Sequence, residues 1–167
     1  MNNIEILLKT AIRTLIREPE FEPNIAIVNE GSWVEIIGDM EPFDMSVVIG
    51  RHGSLKFAMQ SLIAHYLGKH HEDIDLLFQS SGATLIPRNN RRNDPKVEEM
   101  QGLYEAMLAM VPEATGEPLE PSRTMLHGRI QMPEYLIKEV GYHMHRLFGA
   151  AAASNGFPAT LYIERTQ

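Results

Sequence analysis

The chain has 167 residues, 44% of them hydrophobic, enough for a real core in one large or two small domains. Cysteine is absent, which excludes disulfides, cysteine-ligated zinc and a thiol nucleophile and leaves a reducing, cytoplasmic compartment as the expectation. The net charge of -7 weighs against nucleic-acid binding, which Lys and Arg drive, and the longest apolar run falls short of about 18 residues, so no membrane partner is expected.

In chain order, Ile4, Leu7, Leu8, Ala11, Ile12, Leu15 and Ile16 recur at the spacing of one helix face, with Asn2 or Asn3 as a cap. Lys9, Arg13 and Glu5 interrupt that helix, unlike the uniformly apolar core of a signal peptide. Pro19 and Pro23 end it. Two short β-branched strands follow at 25–28 and 33–37, joined by Asn-Glu-Gly-Ser, and in the second Val34 and Ile36 define a face that should be buried. Pro42 and Asp44 start a short helix over 42–49. After a turn at 50–53, Leu55, Met59, Leu62, Ile63, Tyr66 and Leu67 form a second apolar stripe, which Gly68 terminates. Ile74, Leu76 and Phe78 alternate as in a strand.

Residues 80–94, rich in Ser, Gly, Pro, Asn and Arg, predict a mobile loop with a short strand at 84–86. Asp94 and Pro95 then cap a helix carrying Val97, Met100, Tyr104, Met107, Leu108 and Val111 on one face. A Pro- and Glu-rich connector spans 112–121. A strand is expected over 124–131, weakened by Gly128. The last helix begins at Pro133, aligns Leu136, Val140, Met144 and Leu147, and stops at Gly156 and Pro158 before a closing strand at 159–164. Segments 62–79 and 147–164 echo each other as helix end, turn and strand. The second copy lacks a glycine-bracketed turn.

The charge is unevenly spread. Residues 45–71 contain no Asp or Glu, while Arg51, Lys56 and Lys69 stand among His52, His65, His70 and His71. A second basic cluster comprises Arg88, Arg91, Arg92 and Lys96, with Asp94 as its one interruption. An acidic chain can therefore still present a local basic face to RNA. Within the first span, Gly50 and Gly53 bracket Arg51 and His52 immediately before a helix. The glycines allow close backbone approach, and the helix N-terminus favours an anion.

A Gly-x-x-Gly pair alone is weak, since 12 glycines in 167 positions give about one by chance. Its setting is more specific. Ile49-Gly50-Arg51-His52-Gly53, followed by Ser54-Leu55-Lys56-Phe57-Ala58-Met59-Gln60-Ser61-Leu62-Ile63, resembles the KH domain, in the type II form of small bacterial KH RNA chaperones and Jag-like proteins. The resemblance covers residues 1–79. It implies an α+β fold with a type II KH-like α-β-β-α-α-β unit, followed after the 80–94 loop by an extension over 95–167 that either completes the same sheet or forms a degenerate second KH-like unit.

The resemblance also implies single-stranded RNA as partner, clamped over about four nucleotides of backbone, in mRNA handling or translation. Gly50 and Gly53 would admit phosphates, Arg51, His52 and Ser54 would face them, and Lys56 would extend the positive rim. Bases would lie against a groove bordered by Val48, Leu55 and the second strand. Arg88, Arg91 and Arg92 would add a basic arm, or else form a solvated loop. A lone site of this kind binds at about micromolar strength, ~8 kcal/mol, so a second unit, the arm or a homodimer would be needed for more.

Two other readings stay open at this point. The glycines could merely let two helices meet at a tight corner, and the fold could serve as a scaffold that docks a protein partner without RNA. No enzyme is expected, because the chain has no Gly-x-Ser-x-Gly elbow, P-loop lysine or paired-carboxylate pattern. No cofactor is expected either. The Lys-His-His-Glu-Asp run at 69–73 suggests a metal, but adjacent histidines on one strand or helix point apart and no His-x-x-x-His accompanies them, so no metal site is expected. His143 and His145, two apart on a helix, should face different sides.

Overall fold

The computed structural model describes residues 2–28, 32–38, 40–80, 97–122 and 125–167. The expected strand at 84–86, the Asp94-Pro95 cap and the basic residues Arg88, Arg91, Arg92 and Lys96 lie outside them. The fold is α+β, with several helices and two small sheets.

Helix α1 (Asn3–Ile16) begins where Asn2 Oδ1 accepts the Ile4 N–H at 2.9 Å, satisfying one of the amides that a helix start leaves unpaired. All seven of its stripe residues are buried. Strands β1 (Asn24–Val28) and β2 (Trp33–Gly38) pair antiparallel, with Val34 and Ile36 inward. Helix α2 (Pro42–Ile49) leads through a 3-10 turn (Arg51–Gly53) into α3 (Ser54–Leu67). A second 3-10 turn (His71–Asp73) then delivers β3 (Asp75–Ser80), which lies parallel to β2. A parallel partner cannot be reached by a hairpin, so α2 and α3 form the crossover.

The second half runs α4 (Val97–Met110), β4 (Thr115–Gly116), β5 (Glu120–Pro121), β6 (Leu126–Met132), a long helical stretch and β7 (Ala159–Arg165). Residues 112–121, expected as a plain connector, include β4 and β5. Together these track antiparallel along one edge of β6, with Gly116 opposite Ile130 and Pro121 opposite Leu126. Prolines and glutamates hid the strand because an edge needs few inward side chains and tolerates Pro. On the other edge β7 runs parallel to β6, with Gly128 opposite Leu161.

Gly128 does not interrupt β6. A Cβ there would lie 2.8 Å from Leu161 Cδ1 and 3.1 Å from Leu119 Cδ2, so its bareness admits two core side chains. The helix expected from Pro133 is also not uniform. It comprises α5 (Glu134–Leu136), a π turn (Ile137–Gly141) and α6 (Tyr142–Ser154). One extra residue per turn shifts the phase of the stripe, yet Leu136, Val140, Met144 and Leu147 all stay buried.

Each sheet thus holds a central strand with an antiparallel neighbour on one edge and a parallel one on the other. The halves meet through their helices: α1 packs on α4, α3 on α6, and each of α1 and α3 also touches the other partner. Met59 and Leu62 of α3 correspond to Met144 and Leu147 of α6, and all four are fully buried in one continuous core. A polar tie reinforces the junction, where buried Asn155 donates from Nδ2 to the carbonyls of Thr14 and Ala151, each at 2.8 Å. Losing a buried bond of this kind costs about 1–3 kcal/mol.

Candidate nucleic-acid interface

Between Ile49 and Ser54 the backbone takes conformations that ordinary side chains resist. Gly50 has φ 81° and ψ 168°, a region open essentially to glycine alone. A Cβ at Gly50 would also sit 2.7 Å from Leu55 Cγ and 2.8 Å from the Leu55 amide nitrogen. Both conformation and space require glycine there. Gly53 has φ 74° but open space around its Cα, so only conformation favours glycine. His52, between them, is itself left-handed at φ 56°, a position that histidine fills more often than most side chains. The Gly53 N–H returns to the Gly50 carbonyl at 3.1 Å and closes the turn.

The consequence is a tight corner with Arg51 and His52 exposed at its tip. Helix α3 starts directly behind it, and no side chain caps its first amides. The positive end of a fourteen-residue helix therefore faces the corner.

Beside the corner lies a cavity of about 520 Å³. Gly50, Arg51, Ser54 and Leu55 line one side, Val47 and Leu15 contribute apolar floor, and His145, Arg146, Gly149 and Ala150 of α6 form the far wall. Arg146 reaches across and donates from Nη2 to Ser54 Oγ at 3.3 Å. Two guanidiniums from opposite halves of the chain thus border one space. Burial holds the His145 imidazole below its ordinary 6.5, so it is neutral near pH 7. Among the described residues, the fixed positive charge lining the cavity is that of Arg51 and Arg146.

Of the residues singled out in the sequence, Gly50, Arg51 and Ser54 line this space, and His52 and Gly53 form the adjoining tip. Lys56 is elsewhere. Its Nζ pairs with Asp75 Oδ1 of β3 at 3.4 Å, so the expected rim charge is partly engaged, although a half-exposed pair of this sort is worth only about 0–1 kcal/mol. The groove also differs from expectation. Val48 is fully buried, and Val47, one position away on α2, lines the cavity together with α6 instead of β2.

Arg146 and His145 were missed by sequence reasoning. The available signal was faint: Arg146, Gly149 and Ala150 fall three and four apart and share one helix face, and small residues beside a cation mark a place where something else approaches closely.

His70 and His71 do not point apart, because His70 is extended (φ -77°, ψ 145°) and His71 begins a 3-10 turn. Their ring centroids lie 5.1 Å from each other at 32°. Alternation holds only within a regular strand or helix, and this pair straddles a boundary. Among the described residues, no helix is long and apolar enough to cross a membrane.

No family model matches the chain, and no curated protein matches it. A solved structure described as "Crystal structure of APE1850" is similar at 14% identity over 94% of this chain and 96% of that one, with a TM-score of 0.29. A likeness that low carries no argument about fold or function.

Proposed function

We propose that this protein binds single-stranded RNA by its backbone at the 50–53 corner, as a non-enzymatic, KH-like module serving mRNA handling or translation. The observation that carries the reading is the Gly50-Arg51-His52-Gly53 turn, with positive φ at Gly50, His52 and Gly53, at the start of α3, where Arg51 and Arg146 border one cavity. A phosphodiester needs positive charge and a close backbone approach, and the corner offers Arg51, Arg146, the positive end of α3 and open space at Gly53. The order α1-β1-β2-α2-α3-β3, with β1 antiparallel and β3 parallel to β2, supports assigning the first half to a type II KH-like unit.

In this reading phosphates sit at the corner and the apolar floor of Leu15, Val47 and Leu55 takes up sugar and base edges. The second half, a degenerate counterpart in which the π turn and α6 replace the glycine corner, acts as the opposing wall. An overall charge of -7 makes binding local and strongly salt-dependent.

The test is fluorescence anisotropy of a labelled single-stranded RNA at low salt. Wild-type protein should bind at about micromolar strength, and Arg51→Asp/His52→Asp should weaken binding at least about tenfold, or 1.4 kcal/mol, with a shallower salt slope. Absence of any wild-type binding would sink the proposal and leave the protein-docking scaffold as the better reading.

A further inference from the structure

Toward the C-terminal end of α3, away from the glycine corner, a second cavity of about 330 Å³ is lined by histidines from both halves. We propose that His70, His71 and Glu72 at its edge form a binding site for a divalent transition-metal ion of the zinc class. The two imidazoles and the carboxylate each offer a ligand atom, and these atoms all lie within 4.8 Å of one another. Ligands on one zinc ion lie about 2.0–2.2 Å from the metal, so neighbouring ligand atoms must close to roughly 3–4 Å. Exposed His70 and Glu72 are free to do so by rotamer adjustment.

The backbone holds the three residues ready. The Asp73 N–H returns to the His70 carbonyl at 3.0 Å and the Ile74 N–H to that of His71 at 3.4 Å, fixing the turn that brings the ligands together. His71 is further braced by the edge of Phe57, with ring centroids 5.2 Å apart. Phe57 in turn packs on His143 of α6 at 5.1 Å. His143 lines the same cavity, and its Nδ1 is shielded from solvent with no hydrogen-bond partner. A tetrahedral ion held by three protein groups keeps one open position, and the adjoining cavity leaves that position to water.

The ligand set selects the ion. Two imidazoles with one carboxylate suit zinc, cobalt, nickel or copper, whereas calcium and magnesium require oxygen ligands. Charge is mixed around the site. Lys69 lines the cavity and opposes a cation, while Glu72 and Glu139 offset it, the latter already engaging His65 Nδ1 at 3.4 Å.

The site is independent of RNA binding, so its test is separate. Full-length protein free of any polyhistidine tag and stripped with chelator is titrated with Co²⁺, whose visible d–d absorption strengthens on entering a four-coordinate site. One equivalent should saturate the band, Zn²⁺ should displace it, and Zn²⁺ should raise the melting temperature by mass action. His70→Ala/His71→Ala should abolish the band. Glu72→Gln, an isosteric change at an exposed position, should weaken binding at least about tenfold, in the range typical of disturbed metal sites. Lack of a cobalt band in wild-type protein, or an unchanged band in the double variant, overturns the proposal.

Discussion

Arg146 Nη2 and Ser54 Oγ lie 3.3 Å apart although 92 positions separate them in the chain. That single contact makes the corner at 50–53 a property of both halves of the protein. Arg146 is exposed, and one neutral hydrogen-bond partner does not consume its charge.

Arg146→Ala should therefore weaken RNA binding by about five- to tenfold, roughly 1–1.4 kcal/mol, while leaving the melting temperature almost unchanged, as surface substitutions usually do. The dependence of affinity on salt should flatten by about 0.7 in log–log slope if one phosphate contact is lost from a single strand. Binding that is identical to wild type across a salt series would remove α6 from the interface.

The two glycines of the corner should respond unequally. Gly50→Ala meets both a glycine-only backbone region and Leu55 at 2.7 Å, and is expected to cost about 2–5 kcal/mol. Gly53→Ala meets open space and should cost only about 1–2 kcal/mol for its left-handed conformation. Urea unfolding of the two variants measures this difference, and equal costs would mean that the Leu55 contact is not felt.

Leu62→Ala in α3 and Leu147→Ala in α6 remove equivalent, fully buried side chains from one core, each at about 2–5 kcal/mol. Because that core is continuous, the halves should unfold together. The single tryptophan, Trp33, reports from β2 in the first half. In Leu147→Ala its fluorescence transition should shift as far as the far-UV circular dichroism transition. A tryptophan signal that stays at the wild-type midpoint would indicate two independently folding units.

Acid should destabilise the protein through α6. Burial holds His143 and His145 below their ordinary 6.5, and the His71 charge lowers His143 further. The unfolded chain then binds more protons between the folded and unfolded values, so stability is fully present above about pH 6.5, falls as the pH drops below it, and levels off below the folded values. Phe57 and His71 face His143 from α3 and the turn after it, and Lys69, His65 and Glu139 share its cavity. The urea midpoint, measured with chelator present, should drop between about pH 7.5 and 5.5, and His143→Gln should reduce that drop. An undiminished drop would assign it to other groups.

Local periodicity was enough to read most elements from the chain itself. The α1 stripe, the inward Val34 and Ile36, the α3 stripe ending at Gly68, and the alignment of Leu136, Val140, Met144 and Leu147 all follow from the 3.6- and 2-residue repeats of apolar side chains. The glycine corner was equally visible, because positive φ angles leave a compositional mark. Tertiary packing alone decided the rest. Strands β4 and β5 exist only because β6 offers them an edge, and Lys56 turns away because Asp75 lies within reach. His70 and His71 converge where a helix cap meets a 3-10 turn, and Arg146 joins Arg51 because α6 packs on α3. A residue's own neighbours in sequence determine its face on an element, but which distant face it will meet depends on how the elements dock.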